Sequence, residues 1–586
     1  MNDKLKLSFF KPGLVVFLIA TIYFSNKSVA QSFVDINAGL TGVTYSSADW
    51  GDFDNDQDFD LVVMGSMAPG SYRTKIYRND NGTFNETGDQ LAGMEKGSVK
   101  WGDYDNDNDL DILLVGNNLE EKTFIYKNES GAFVSVDPGF YFAGSYSNGT
   151  WGDYDNDGDL DVFLSGNWNG AIYRNDGNDQ FVETGNTIAM LSSTSSYWGD
   201  PDRDGDLDIL LTGDTGGGMK TFLYTNNGGS FDGEELPVVG LSGGSIEWGD
   251  YDNDGDLDIL SLGFNDYVEP EVYMFRNDGN GNYVNINTNL FPVAVGNATW
   301  GDFDNDGDLD VALTGKCSGC GVLLTAIYEN KGEDDFEDIN AGLADAEYSH
   351  VAWADFDGDS DLDLVLTGGN YNGNGFAKIY RNDLSLPNIQ PETPGNLQVD
   401  FLNDIALLSW DKASDAQTPQ NALTYNIRVG TSPLADDIFS AMAINENGWR
   451  KIVAPGNTGT SNFWKIEGLI EGTTYYWSVQ TIDHTYQGSA FAAEQSFAYV
   501  TTGSDEYEQS DDLIVFPNPA QNQITLITNK RNDENQPYTI FNVEGFPVQK
   551  STLTGNKIHL FDLENGTYFL KFDHSPVAPV KFIVIK

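Results

Sequence analysis

The sequence predicts an all-β protein: a seven-bladed β-propeller followed by two small β-sandwich domains. Three observations carry that expectation. A Trp-led phrase recurs seven times between Trp50 and Gly368, with Trp-to-Trp spacings of 51, 50, 47, 50, 52 and 53 residues. That period is the length of one four-stranded blade. Each copy then runs through an acidic loop into a short apolar run closed by Gly, such as Leu61–Gly65, Ile112–Gly116 and Val311–Gly315, which read as buried strands. The third observation concerns closure. The seventh copy stops after Arg381-Asn382-Asp383, and its missing strand stands ahead of the first copy, where Phe33–Leu40 closely matches Phe336–Leu343 of the sixth. An N-terminal strand that completes the last blade closes the ring and leaves no long open edge.

The elements of one blade follow in order from the third copy. A first strand runs into Trp151, the acidic loop follows, and the second strand covers Asp161–Gly166. The third strand ends in Ala171-Ile172-Tyr173-Arg174-Asn175-Asp176, and the fourth begins at Phe181. The third-strand phrase returns as Ile76-Tyr77-Arg78-Asn79, Ile125-Tyr126-Lys127-Asn128, Leu223-Tyr224-Thr225-Asn226, Ile327-Tyr328-Glu329-Asn330 and Ile379-Tyr380-Arg381-Asn382. Asn81-Gly82 and Asp278-Gly279 supply the turn chemistry of the hairpin after it. The repeated tryptophans hold one structural position and read as packing between blades.

The acidic loops have a chemistry of their own. They begin at Asp52, Asp103, Asp153, Asp200, Asp250, Asp302 and Asp355, with Asp at positions one, three, five, seven and nine. Seven loops of five Asp each place 35 of the chain's 90 acidic residues in 63 positions. At ~5 Å and an effective dielectric of ~20, each neighbouring pair costs about 3 kcal/mol. A hard dication among the carboxylates resolves that repulsion. Calcium, with six to eight flexible oxygen ligands, suits the pattern better than magnesium, and softer metals want the His or Cys these loops lack. Position six must turn sharply, which suits Gly158, Gly205, Gly255, Gly307 and Asn108. Gln57 and Ser360 suit it less, so the first and seventh sites are expected to bind most weakly. These loops are not EF-hands. Their twelfth position is Val63, Leu114, Leu164, Leu211 or Ser261 rather than Glu, and a strand follows instead of a helix.

The loop phrase with its following strand resembles the FG-GAP and VCBS repeats of integrin α-subunit-like propellers, over residues 33 to 383. The resemblance implies calcium held by side chains at positions one, three, five and nine, with the position-seven carbonyl. Up to seven Ca2+ ions would then sit on Asp52, Asp54, Asp56 and Asp60; Asp103, Asp105, Asp107 and Asp111; Asp153, Asp155, Asp157 and Asp161; Asp200, Asp202, Asp204 and Asp208; Asp250, Asp252, Asp254 and Asp258; Asp302, Asp304, Asp306 and Asp310; and Asp355, Asp357, Asp359 and Asp363. The Asp at position seven is a surplus carboxylate that the resemblance leaves without a role. Such propellers usually bind proteins or glycans through the face opposite the calcium loops.

Domain limits follow from composition. Residues 1–30 read as a signal peptide: Lys4, Lys6 and Lys11 precede the apolar stretch Leu14–Phe24, and Ser28-Val29-Ala30 reads as a cleavage site. The propeller occupies 31–386. Pro387, Pro391, Pro394 and Gly395 mark a break, and 387–500 carries strand patterns at Leu407–Trp410, Leu423–Val429 and Leu469–Val479. This segment resembles a fibronectin type III domain, with Trp410 in the core and Tyr475 as the tyrosine corner, and reads as a spacer. An acidic linker (501–512) leads to 513–586. There Phe516-Pro517-Asn518-Pro519, Ile540–Gly545, Leu563–Lys571 and Lys581–Lys586 resemble the type A C-terminal sorting domain. That resemblance implies the type IX secretion machinery of Bacteroidota, passage through the periplasm, removal of the domain, and release or attachment at the outer cell surface. No transmembrane anchor is expected in the mature chain. The net charge of −59 becomes −62 without the leader, which argues against nucleic-acid or anionic-membrane partners.

Catalytic material is sparse. His350 is the one His of the ring, just ahead of Trp353, and reads as part of a strand. A Ser-His or Cys-His mechanism inside the ring therefore has little to work with. Carboxylates are plentiful, so a pair suited to glycoside cleavage stays open. Cys317 and Cys320 are the chain's two cysteines and are expected to form a small loop disulfide in the sixth blade. The hairpins opposite the acidic loops carry Tyr72, Trp168, Tyr267 and Tyr371, rings suited to stacking on sugars or anchoring proteins. The expected function is a secreted or surface calcium-binding propeller for adhesion or for glycan or protein capture. The alternative is a calcium-dependent polysaccharide-degrading lyase or glycoside hydrolase.

Overall fold

A computed structural model describes residues 33–499 apart from 119–122, 141–143, 280, 385 and 403–404, together with the strands of 513–584 and a few residues between them. The expected signal peptide, the acidic linker and Pro517–Pro519 lie outside the described residues. Among the described residues, 33–382 form seven four-stranded antiparallel sheets, six of them made of four consecutive strands. The seventh takes Phe33–Asp35 as its outer strand, paired with Gly375–Asn382 in the register Phe33↔Asn382. The first strands succeed one another around a ring that closes where Glu347–Ala354 meets Thr44–Gly51. The chain is a closed propeller.

Second strands make the core because they are covered on both faces by neighbouring blades. Leu61, Val62, Val63 and Met64 are all buried, as are Ile112, Leu113, Leu114 and Val115. Removing such side chains from water contributes roughly 1.5–3 kcal/mol each.

The repeated Trp forms the seam. Trp101 stacks on Phe53 of the preceding blade's loop (centroids 5.9 Å apart, planes 5° apart), Trp151 on Tyr104 (5.8 Å, 2°) and Trp300 on Tyr251 (6.2 Å, 4°). The Gly after each of the first six tryptophans lets the next indole approach: a Cβ on Gly102 would lie 2.6 Å from Trp151, and one on Gly301 2.7 Å from Trp353. The third-strand Tyr ties the connection between blades. Tyr77, Tyr126, Tyr224, Tyr328 and Tyr380 accept hydrogen bonds at their hydroxyls from the backbone N–H of Thr41, Ala92, Ala189, Phe291 and Ala344, at 2.7–3.1 Å.

Residues 395–498 fold as two facing three-stranded sheets. One contains Gly395–Leu402, Ile405–Asp411 and Phe463–Ile466, the other Thr424–Gly430, Thr474–Ile482 and Gln495–Ala498. Trp410, Tyr425, Trp464 and Trp477 fill the space between them. The Tyr475 hydroxyl accepts the Ile470 N–H at 2.8 Å. The spacer expectation needs correction, because this domain lies across the acidic-loop face of the ring. Its backbone exchanges hydrogen bonds with the loops (Asp52 N–H to Lys451 O, 2.8 Å; Asp302 N–H to His484 O, 3.2 Å), and Tyr486 donates to Trp300 O at 2.8 Å. The residues that make the interface are scattered through the sequence, which hid it from a linear reading. The last strands pack as a three- and a four-stranded sheet around Ile524, Leu526, Ile540, Leu570 and Phe582.

Candidate functional site

Each acidic loop is a hairpin connection whose ends are fixed by strand pairing, as in Gly51↔Asp60 and Gly152↔Asp161. The position-one Asp folds back over its own loop. Asp52 accepts the N–H groups of Asp56 (3.0 Å) and Gln57 (3.1 Å), and Asp302 those of Asp306 (3.1 Å) and Gly307 (2.9 Å). Position six takes a positive φ in every loop, 97° at Gly158 and 70–72° at Gln57, Asn108 and Ser360. Position four does too, including Arg203 at 55°, which the sequence reading did not anticipate.

The position-nine Asp is buried in every loop, at 0–1% accessible. One oxygen accepts the backbone N–H of the third-strand Asn, from Asn79 to Asp60 at 2.8 Å and likewise around the ring to Asn382 and Asp363 at 2.8 Å. The other oxygen accepts the N–H of position two, as from Phe53 at 3.1 Å. In the fourth loop position two is Pro201, which has no N–H, and Asp208 Oδ2 is left without a partner. The same Asn side chain bridges blades. Asn79 Nδ2 donates to Phe59 O of its own loop (3.2 Å) and to Phe356 O of the preceding blade (2.8 Å), while its Oδ1 accepts Gly82 N–H (2.7 Å). This Asn was visible only as the end of a strand phrase. Its recurrence in all seven copies was the available signal.

The surplus carboxylate at position seven has a role in the structure. It accepts a hydrogen bond from position four of the preceding loop: Asn55 to Asp109 (3.0 Å), Asn106 to Asp159 (3.0 Å), Asn156 to Asp206 (2.7 Å), Arg203 to Asp256 (2.7 Å) and Asn253 to Asp308 (2.7 Å). The loops are thereby linked edge to edge across the first six blades. Gly358 has no side chain to continue the link into Asp58.

The remaining carboxylates converge. Ligand-capable oxygens of Asp52, Asp54 and Asp60 lie within 4.8 Å of one another, as do those of Asp153, Asp155 and Asp161 and of Asp250, Asp252 and Asp254, in seven such groups among the described residues. Buried oxygens of Asp105, Asp153, Asp155, Asp202, Asp250 and Asp304 have no hydrogen-bond partner. An oxygen-only donor set with spare lone pairs suits a hard divalent cation. In the ion-free chain, burial above all pushes Asp52 up to about 6, Asp103 to about 7, Asp250 to about 8 and Asp60 to about 9, with neighbouring carboxylates adding to the rise.

The second domain meets these same loops. Ser440 Oγ donates to Asp103 (2.8 Å), Ser461 Oγ to Asp200 (3.3 Å), and Lys465 pairs with Asp206 (2.5 Å). Its backbone lies so close to two position-six glycines that a Cβ on Gly158 would fall 1.6 Å from Ile438 O, and one on Gly307 2.0 Å from Gln417 O. From the C-terminal domain, Gln523 donates to Asp202 O (2.8 Å) and Lys557 pairs with Asp202. Between ring and second domain lies a cavity of about 400 Å³. Asp49 and Lys100, paired at 3.0 Å, face it with Tyr197, Glu247 and His350. Burial lifts Glu247 to about 7 and, together with Lys100, lowers His350 to about 3.

The aromatic candidates are dispersed. Tyr267 (85% accessible), Tyr371 (62%) and Trp168 (48%) stand exposed on hairpins of three blades, and Tyr72 is half-buried one residue into its strand. Tyr371 is engaged, accepting Leu323 N–H at its hydroxyl (2.9 Å). Cys317 and Cys320 are joined by a disulfide in the sixth blade, with Cα atoms 5.5 Å apart.

Comparison with known proteins bears on two parts of the chain. An FG-GAP-like repeat matches at residues 52–114, 103–164, 153–211 and 200–261. A secretion system C-terminal sorting domain matches 514–586. The chain carries an export tail. It is therefore delivered by type IX secretion to the cell surface or the extracellular space, and its sorting domain implies the type IX machinery as a partner. Among the described residues, no helix is long and apolar enough to cross a membrane. No curated protein matches the chain. Similar solved structures include a lectin of Agrocybe aegerita described for recognition of non-reducing terminal N-acetylglucosamine (16% identity, 60% of this chain and 93% of that one, TM-score 0.33). Another is the Aleuria aurantia lectin with alpha-methyl-L-fucoside (12%, 52% and 98%, TM-score 0.31). Latent PorU of Porphyromonas gingivalis is similar at 13% identity over 70% of this chain and 36% of that one (TM-score 0.18).

Two predictions follow from the loop geometry. Asn79→Ala strips hydrogen bonds from two loop carbonyls and should lower unfolding free energy by about 3 kcal/mol, read from denaturant midpoints; a loss below about 1 kcal/mol contradicts the bridging role. The second concerns pH. The folded-state values above exceed the unfolded value of about 3.9, so between them the native state binds more protons than the unfolded chain. In chelator, the melting temperature should therefore fall as pH rises from about 4 towards about 9. A melting temperature that climbs across that window would show that these carboxylates are not held protonated by burial.

Proposed function

We propose that this protein is a calcium-stabilised propeller that captures an extracellular glycan or protein ligand, acting in adhesion or uptake outside the cell. The observation that supports the calcium reading is the sevenfold convergence of carboxylates, within 4.8 Å of one another, with buried oxygens left unpartnered. The side chains at positions one, three, five and nine would hold the ion. Calcium would replace proton binding as the means of relieving repulsion in each loop. The second domain is read as fibronectin type III-like on its three-over-three sheets, the Trp410 core and the Tyr475 hydroxyl contact. Because it covers the loop face, the opposite face, with its hairpins and exposed rings, is the surface left for a ligand.

One observation favours a second reading, a calcium-dependent polysaccharide-degrading enzyme. Glu247, lifted to about 7, shares the central cavity with Asp49, which gives an acid and a carboxylate facing one space. Against it, Asp49 is already paired with Lys100 at 3.0 Å, and the second domain occupies the loop side of that cavity.

Two experiments test these readings. A site filled at about 100 times its dissociation constant adds ~2.7 kcal/mol to folding, so chelation should lower the melting temperature by well over 10 °C if several sites fill; an unmoved transition removes calcium from the proposal. Incubation with glycan and protein panels should give saturable binding without product. Appearance of unsaturated or hydrolysed oligosaccharides would instead establish the enzyme.

A further inference from the structure

On the face away from the acidic loops, a residue of positive φ stands within three residues of the start of every first strand, and strand register shifts there in blades one, two, four and seven. In blades one, two, three and seven this residue is Tyr45 (φ 52°), Lys96 (55°), Tyr146 (61°) and Tyr348 (50°). In blade five it is Gly243, which takes the left-handed conformation without strain. Bonds between neighbouring blades join these positions into a rim around the axis: Tyr146 N–H donates to Lys96 O (2.7 Å), Gly243 N–H to Ser193 O (3.1 Å) and Val295 N–H to Gly243 O (2.8 Å). The backbone needs only a glycine here, so the side chains at the other six places, Ser193 (51°) and Val295 (51°) included, are held at a conformational cost, and four of the six are large. Strain of this kind concentrates at functional sites.

The four side chains gather on one side of the axis. The rings of Tyr45 and Tyr348 lie 4.0 Å apart, and the Lys96 ammonium sits 4.7 Å from the Tyr45 ring and 5.5 Å from that of Tyr146. Two ion pairs flank them, Lys96–Glu95 at 3.3 Å and Lys316–Glu347 at 2.5 Å. Across the rim, Ser193, Gly243 and Val295 are small and leave that side low. The rim is therefore asymmetric, with phenol rings, ammonium and carboxylate gathered on one side and small residues on the other, and we refer to it as the axial cup. Tyr146 is 37% accessible, and the other three residues are half-buried.

We infer that this axial cup is a saccharide-binding subsite. The inference rests on the ligand-capture reading and moves its point of contact from the outer hairpins to the axis. A pyranose ring offers an apolar C–H face bordered by hydroxyls. The cup offers the exposed Tyr146 ring, with the phenol, ammonium and carboxylate groups of its neighbours beside it, which can cover the one and hydrogen-bond the other. Lys96 and Lys316 also provide positive charge for a uronic acid carboxylate. A protein partner would need about 800 Å² of contact on this side, far more than four partly buried side chains supply.

The test uses the mature full chain in calcium, titrated calorimetrically with cellohexaose, chitohexaose and hexagalacturonate, so that neutral and acidic sugars are separate arms. Tyr45→Gly and Tyr348→Gly suit the backbone conformation already present, and unchanged melting temperatures would confirm that they fold. Binding of the preferred sugar should weaken at least tenfold in each, while Tyr267→Ala stays within twofold of the parent. If the Gly variants bind like the parent and Trp168→Ala or Tyr267→Ala does not, the subsite lies on the hairpins; the axial inference then falls while ligand capture stands. If no sugar binds the intact chain, the inference also falls, and a saturable protein ligand would leave the broader reading in place without it.

Discussion

The ring depends on a buried carboxylate at the ninth position of each acidic loop. A charge there is expensive unless it is paired or richly hydrogen-bonded. The chain supplies one N–H from the start of the loop and one from the third strand, which draws loop, second strand and third strand into one unit. The third-strand Asn then reaches the loop of the preceding blade, so the group that satisfies the carboxylate also holds adjacent blades together. The exception is informative. Where Pro201 removes the first donor, Asp208 keeps a free oxygen, and both later domains bring Lys side chains to that same loop.

Much of this architecture was legible in the sequence. Trp spacing and the displaced strand at Phe33 specified a closed ring, because blade length and strand complementarity are local, repeated signals. The positive φ at position six was legible for the same reason, since Gly recurs there. The parts that were not legible depend on contacts between distant residues. Asn55 and Asp109 lie 54 residues apart, and Ser440 and Asp103 lie 337 apart. Nothing in the composition of 387–500 distinguishes a docked domain from a spacer. The rim tyrosines were equally hidden, because Tyr at positive φ runs against intrinsic preference.

Docking of the second domain also changes what the loop glycines mean. Gly158 and Gly307 read as turn residues, and their φ values of 97° and 96° agree. Each also lies where a side chain would strike the backbone of the docked domain. The loops are thus at once ion-binding candidates, inter-blade links and an interdomain surface. A change in loop charge or shape is therefore felt in the ring and in the domain that lines its cavity.

The contact of Gln523 and Lys557 with Asp202 has a consequence for how the molecule faces the world. Both later domains meet the ring on its loop side, so the sorting domain and the axial rim lie on opposite faces. Whatever engages the chain through its sorting domain therefore approaches on the loop side, opposite the axial rim. The two sides of the ring are thus unequal by construction: the acidic side carries the contacts of both later domains, and the rim of positive-φ residues lies on the other.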